Sequence, residues 1–417
     1  MEFLLGYDKT QLSLNIPDKN VLGVLTPNHV EVGQTGADEV RRALAEPVGT
    51  PKLSEIVRPG EKIVIITSDI TRPVPTAVIL PPVLDEIEAA GCSLDDVCVV
   101  FALGNHRPHT EEERKKLLGP DAYGRVKCVD HDRSDCVHLG YTKAGTPVDI
   151  FRPVAEADRV IAIGNVEYHY FAGYSGGAKA IMPGVSTHDA IQANHSMMVL
   201  DTAVAGRIEG NPLRADIDSV TEFVRLDFIV NVVLDEKKNI ICAAAGHHIK
   251  AHRQACAFLD RLYKIPIAEQ ADIVVVSAGG FPKDINLYQA QKALDNAKNA
   301  CKPGGTIILA ASCKEGLGEE VFERWMTQSE SPEFMVQEIQ RRFELGGHKA
   351  AAIAMVLKNK SIYLVSDMPD SFVSSIFLTP FASLQDAFES AYKKAGGSAK
   401  CYVMPYGGST LPEIVTQ

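Results

Sequence analysis

Lys62-Ile-Val-Ile-Ile-Thr67 runs directly into Ser68-Asp-Ile-Thr-Arg72 and then meets Pro73 and Pro75. A short, unbroken apolar run rich in β-branched residues reads as a strand buried on both faces, and the prolines bar its continuation. The strand therefore delivers Asp69 and Arg72 to its carboxyl end. Two further runs repeat the arrangement. Asp96–Leu103 (DVCVVFAL) empties into Gly104-Asn-His-Arg-Pro108, and Arg159–Ile163 (RVIAI) into Gly164-Asn-Val-Glu-Tyr-His169. Strands alternating with helix-like stretches predict an α/β fold whose mainly parallel sheet is flanked by helices, with ligands gathered at the carboxyl ends of the strands.

A second unit of the same class is expected to begin near Ile265-Pro266. Ala271–Ser277 (ADIVVVS) leads through Gly279-Gly280 to a helix-like run over 286–299. Thr306–Ala311 then returns as a strand, and Ile362–Val365 and Cys401–Met404 offer further strands to that sheet. The reading divides the chain into 1–265 and 266–417, with an active site in the cleft between them. Gly279-Gly280 lacks the G-x-G-x-x-G spacing, so a dinucleotide fingerprint is missing.

Composition excludes several classes. The 417 residues are 46% hydrophobic and 23% charged, as in a folded protein with large cores. A net charge of -11 argues against nucleic acid, which would require clustered Lys and Arg. No apolar run approaches ~18 residues, so no membrane span is expected. Nine cysteines, an odd number with no Cys-x-x-Cys, do not read as a disulfide framework or a zinc site and suggest a reducing, cytoplasmic compartment.

Tyr168-His-Tyr-Phe-Ala-Gly-Tyr-Ser-Gly-Gly-Ala-Lys-Ala-Ile-Met-Pro-Gly184, followed by His195, concentrates the chemistry. Gly173, Gly176 and Gly177 read as a turn whose N–H groups suit an anion, and Lys179 stands between alanines, where a desolvated amine can act covalently. The run is not a P-loop. Ala178 stands where that motif needs glycine, and Ala180 where it needs a hydroxyl. Each residue also has a plainer reading: Asp69 and Arg72 as a turn ion pair, His106 as a capping or core histidine, His195 as packing. His109 precedes a capping box of Thr110 and Glu113 and reads as a supporting residue. Gln289 and Lys292, three apart on the opening turns of a helix, share a face.

Taken together, Ser68-Asp-Ile-Thr-Arg-Pro73, Gly104-Asn-His-Arg-Pro-His-Thr-Glu-Glu112, the run 168–184 with His195, and Leu287-Tyr-Gln-Ala-Gln-Lys292 resemble the nickel-pincer-dependent lactate racemases and their homologues acting on other 2-hydroxy acids. The resemblance implies a racemase or epimerase working by reversible hydride transfer. Lys179 would carry, through a thioamide, a pyridinium thioamide/thiocarboxylate mononucleotide holding nickel, and His195 would supply the protein's ligand to the metal. His106 and His169 would be the acid–base pair, and Arg72, Gln289 and Lys292 would bind the substrate. Asp69, Tyr288, Ser175 and the glycines 173, 176 and 177 would support the cofactor, the turn cradling its phosphate. Residues 1–265 would then hold the cofactor and the bases, and 266–417 would close over the substrate. The implied partners are a small 2-hydroxy acid and the enzymes that build the cofactor; the sequence sets no oligomeric state.

The chemistry suits these residue types. Removing hydride from the α-carbon while a histidine takes the hydroxyl proton avoids a carbanion beside a carboxylate, and inversion requires a base on each side. Two rivals stand beside this reading. One is a zinc-dependent hydrolase built on His106, His169 and His195. The other is a non-catalytic protein that binds the cofactor or a hydroxy acid.

Overall fold

The computed structural model describes residues 1–415 and divides them into two compact units, Val30–Arg261 and Met1–His29 with 262–415. Each is built on a six-stranded sheet flanked by helices.

In the first unit the sheet runs, edge to edge, Ile240–Gly246, Phe228–Leu234, Arg159–Asn165, Ile63–Ser68, Val97–Ala102 and Lys127–Asp130. All neighbours are parallel except the first two. Alternate residues of the central strands, Ile63, Ile65, Val97, Val99, Phe101, Ile161 and Ile163, enter one core with Ile79, Leu80, Val83, Leu84 and Ile87 of the helix Thr76–Ala89. Val64, Ile66 and Val100 point the other way and are buried as well. Burial on both faces explains why these strands read as unbroken apolar runs. The strands Ile63–Ser68, Val97–Ala102 and Arg159–Asn165 end together, bringing the three polar loops to one edge.

In the second unit the order is Thr379–Phe381, Ser361–Val365, Cys301–Ala310, Ala271–Ser277, Cys401–Met404 and Val21–Val24, all parallel. The expected strand–helix–strand unit is present, with the helix at Leu287–Ala297. The first 29 residues correct the expected division of the chain at 265. Val21–Val24 extends this sheet, and the hairpin Glu2–Tyr7/Thr10–Asn15 lays Leu5 and Leu14 against Ile273, Val275, Ile308 and Val403. That apolar face needs the second unit's core to cover it, a long-range pairing that local sequence does not announce.

Candidate active site

The turn after Ile63–Ser68 is built around Asp69, which is 3% exposed. Its Oδ1 accepts from the Thr71 amide at 2.7 Å and the Thr71 hydroxyl at 2.5 Å, and its carbonyl accepts from the Arg72 amide at 3.1 Å. Its Oδ2 meets His106 Nδ1 at 2.5 Å. Burial works to raise this carboxyl, but His106 and Thr71 outweigh it and hold it below the usual carboxylate range. The ion pair with Arg72 allowed by the sequence is replaced by these contacts, so Asp69 acts on His106. His109 braces the turn from behind: its Nε2 accepts from the Ile70 amide at 3.0 Å and its Nδ1 contacts Asp130 at 2.6 Å. The expected capping box of Thr110 and Glu113 starts the helix that follows.

The run 168–184 folds as a two-residue ladder, Tyr168–His169 against Gly173–Tyr174, followed by a 3-10 turn over Gly177–Ala180. Tyr168 and Tyr174 both donate to the Asp260 carboxylate, at 2.9 and 2.8 Å, and so fix the ladder to the end of the helix Lys250–Tyr263. At the centre lies Phe171, which is buried. His169 packs edge-on to its ring at a centroid distance of 4.4 Å and His195 at 5.0 Å, while Lys179 Nζ lies 5.9 Å from the ring centre. The amide of Gly104, in the His106 loop, donates to the carbonyl of Gly184 at 3.0 Å, tying that loop to the end of the lysine turn.

Close packing requires glycine at these positions. Gly173 sits at a φ of 75° and a Cβ there would collide with the Arg207 carbonyl; at Gly176 it would lie 2.7 Å from Asn231 Oδ1. The Gly177 amide already donates to Asn231 Oδ1 at 2.9 Å, and Ser175 Oγ donates to the Asn165 carbonyl and accepts from the Glu167 amide. These groups hold the turn in place. Arg214 and His252, both buried, underlie it: Arg214 donates to the Tyr174 carbonyl and His252 Nε2 to that of Ser175.

Lys179 is half-buried as a residue, and burial dominates the environment of its amine. Desolvation first, then the charges of Arg72 and Arg214, push its pKa well below the usual lysine range, against a weaker opposing pull from Glu167. A neutral amine is a nucleophile, so the position suits covalent attachment.

His195 closes the helix His188–His195 and is 7% exposed. Asn194 donates its Nδ2 to Asp216 at 2.7 Å, which turns its Oδ1 toward His195 Nδ1 at 3.0 Å. Asp216 is itself held by the hydroxyls of Thr142 and Thr146. The chain Asp216–Asn194–His195 makes Nδ1 the protonated nitrogen and leaves the lone pair on Nε2, as a metal-ligating imidazole requires. Among the described residues no three His, Cys, Asp or Glu side chains gather as a metal-binding group, so the zinc site of the hydrolase reading is not formed.

In the second unit, Asn286 caps the helix Leu287–Ala297 by accepting from the Gln289 amide at 3.0 Å. Gln289 is exposed and Lys292 partly buried on its opening turns. Lys349 fixes Tyr288, with Nζ 4.0 Å from the ring centre and bonded to the Tyr288 carbonyl.

Of the sequence candidates, Asp69, Arg72, His106, His169, Lys179 and His195 belong to one unit, and Tyr288, Gln289 and Lys292 to the other. Phe171, Asn194, Asp216 and Asp260 were missed. The Asn194-His195 adjacency and the aromatic run at 168–174 were their only signals.

Comparison with known proteins identifies the family. Residues 7–206 match the lactate racemase N-terminal domain and residues 267–411 the lactate racemase C-terminal domain. Lactate racemase from Thermoanaerobacterium thermosaccharolyticum is 36% identical, covering 98% of both chains, and that from Lactiplantibacillus plantarum is 35% identical, covering 97% of both. The structure of the Thermoanaerobacterium thermosaccharolyticum lactate racemase apoprotein superposes with a TM-score of 0.89 at 35% identity, over 99% of this chain and all of that one. A Thermotoga maritima protein, 18% identical over 93% of this chain and all of its own, shares the fold at a TM-score of 0.64. The chain belongs to the lactate racemase family, a family of isomerases.

Proposed function

We propose that the protein racemises a 2-hydroxy acid, lactate in the first instance, using a nickel-pincer mononucleotide joined to Lys179. The observation that carries the reading is the grouping of the desolvated Lys179 amine, His169 and the buried His195 around Phe171. When bound, the nucleotide would take up the α-hydrogen of the substrate as hydride and return it.

The residues present fit that group. Lys179 offers a neutral amine for acylation, and His195 offers Nε2 to a metal whose other donors, sulfur and carbon, come from the nucleotide. One imidazole from the protein is then enough, and among the described residues no multi-histidine cluster is needed or formed.

The chain's own side chains handle the substrate oxygens. His106 and His169 move the hydroxyl proton, and the Asp69 carboxylate steadies the imidazolium that forms on His106. Arg72 is exposed and cationic beside the lysine turn and is suited to hold the substrate carboxylate. Gln289 and Lys292 are proposed as further substrate ligands, and Tyr288 as a support for the cofactor. The enzymes that assemble the nucleotide are the implied protein partners.

The test is to co-express the chain with such enzymes, supply one pure enantiomer of lactate and follow the other by chiral chromatography. Conversion toward an equal mixture is expected. Loaded protein that leaves lactate and other small 2-hydroxy acids unchanged would overturn the reading in favour of a binding protein.

A further inference from the structure

The three amides that follow Asp69 donate in different directions. Those of Thr71 and Arg72 turn inward, to Asp69 Oδ1 and to the Asp69 carbonyl. The Ile70 amide donates outward, to His109 Nε2 at 3.0 Å. His106 and His109 belong to one loop, three residues apart, so that loop grips the turn at two points: His106 at the Asp69 carboxylate and His109 at the Ile70 amide.

The second grip is the more deeply set. The His109 side chain is 1% exposed against 23% for His106, and Phe101 lies edge-on to its ring at 5.0 Å. Its own amide and its Nδ1 both reach Asp130, at 3.0 and 2.6 Å, and Arg114 donates to the same carboxylate at 2.7 Å. Asp130 closes the strand Lys127–Asp130, which is bonded along its length to Val97–Ala102. Burial works to raise the Asp130 carboxyl, but His109 and Arg114 outweigh it and hold it below the usual carboxylate range. Such a carboxylate only accepts, so His109 Nδ1 donates to it; a backbone amide only donates, so Nε2 receives the Ile70 N–H through its lone pair. Both partners call for the same form of the ring. His109 thereby links a carboxylate fixed to the sheet with the turn that carries Asp69 and Arg72.

We propose that His109 is a positioning residue of the site: through the Ile70 amide it sets where Asp69 and Arg72 stand relative to His106, without touching the substrate itself. The inference rests on the racemase reading for the roles of Arg72 and His106. It also singles out one atom. Positioning runs through Nε2, whereas a role confined to stability would run through Nδ1, whose bond to Asp130 is the shorter and is charge-assisted.

Two substitutions separate these atoms. A glutamine carboxamide places a polar atom close to where Nε2 lies, and an asparagine carboxamide close to where Nδ1 lies. His109→Gln can therefore still accept from the Ile70 amide, while His109→Asn can donate to Asp130 but leaves Ile70 without its acceptor. The first readout is hydrogen exchange at the Ile70 amide in the full-length chain without cofactor. Exchange should stay slow in His109→Gln and quicken on the order of 10-fold in His109→Asn, the effect of losing one backbone hydrogen bond. Equal protection of Ile70 in both variants would overturn the proposed link.

The second readout is kcat/KM with nickel measured on the same loaded protein. His109→Asn should lose ~10–100-fold at unchanged nickel content, as expected when groups that hold a substrate are misplaced, and His109→Gln should stay within about threefold of wild type. Activity retained in His109→Asn, or lost only in step with nickel, would overturn the catalytic consequence. Where His109→Asn does not fold, His109→Gln decides alone: a folded variant with a protected Ile70 amide and activity lost ~10-fold or more would refute the role of Nε2. The exchange measurement needs no turnover, so the expected Ile70 pattern in a loaded wild-type protein that fails to racemise would defeat the racemase reading and leave the link between His109 and the turn standing.

Discussion

Replacing Asn194 separates the orientation of His195 from its chemistry. Asn194 is fully buried, and its carboxamide joins two buried groups: it donates to Asp216 at 2.7 Å and accepts from His195 Nδ1 at 3.0 Å, with a weaker bond to the Leu213 carbonyl at 3.4 Å. In Asn194→Ala, the His195 N–H loses its acceptor and Asp216 keeps only its two threonines. An orphaned buried donor together with a lost bond to a charged group costs on the order of 2–4 kcal/mol of stability. The freed ring no longer holds its lone pair on Nε2, so nickel retention should fall ~10–100-fold, the usual effect of losing a residue that orients a ligand. Asn194→Asp adds a sign to the argument. Two buried carboxylates at that separation cannot both be charged, so the folded pKa of the pair is raised above the unfolded value. The variant should approach wild type near pH 4 and lose stability progressively as pH rises toward 7. Urea unfolding at several pH values and metal analysis of purified, loaded protein give both readouts. If Asn194→Ala keeps its nickel and unfolds within ~0.5 kcal/mol of wild type, the range of ordinary surface substitutions, the reasoning about this chain of bonds fails.

Phe171→Ala should cost ~3–5 kcal/mol, as for other buried phenylalanines, and should also lower cofactor loading and turnover because His169, His195 and Lys179 all pack around that ring; unchanged loading in a folded variant would refute its role as their common support. Lys179→Met should raise stability at neutral pH by more than the ~0.5 kcal/mol scatter of surface changes, because a lysine with a depressed folded pKa penalises the fold at every pH below its unfolded value. That gain should shrink as pH rises toward the unfolded lysine value of ~10.4, and a pH-independent gain would point to packing instead. Burial, then the charge of Arg133, depresses His131 to about 4, and its Nδ1 has no hydrogen-bond partner in the structure. Its folded pKa lies below the unfolded one, so it binds its proton on unfolding and stability falls as pH drops from ~6.5 to ~4, by about 3 kcal/mol relative to His131→Gln; parallel pH profiles would contradict this.

Both sheets of the fold were legible because buried parallel strands are unbroken apolar runs. Ile63–Ser68 and Ala271–Ser277 show their ends as well, in Ser68-Asp69 and in Gly279-Gly280. The N-terminal hairpin was not, since Leu5 and Leu14 find their partners more than 250 residues away in Ile273 and Val275. At the site, the residue types that react were readable in the motifs, whereas the groups that orient them were not. Asp69 looked like half of an ion pair until the fold brought His106 to it, and Asp216 carries no motif at all. A glycine needed for close packing against Asn231 and Arg207 is written in the same letter as one that cradles an anion, so the letters alone do not separate the two roles.

The central claim, that Lys179 is the point of covalent attachment, is tested most directly by intact and peptide mass spectrometry of the chain co-expressed with cofactor-assembling enzymes, with nickel measured on the same sample. The account predicts a mass increase confined to the Lys179 peptide, nickel approaching one per modified chain, and neither in Lys179→Ala. A racemising protein whose Lys179 is unmodified, or a Lys179→Ala variant that keeps full activity, would contradict it.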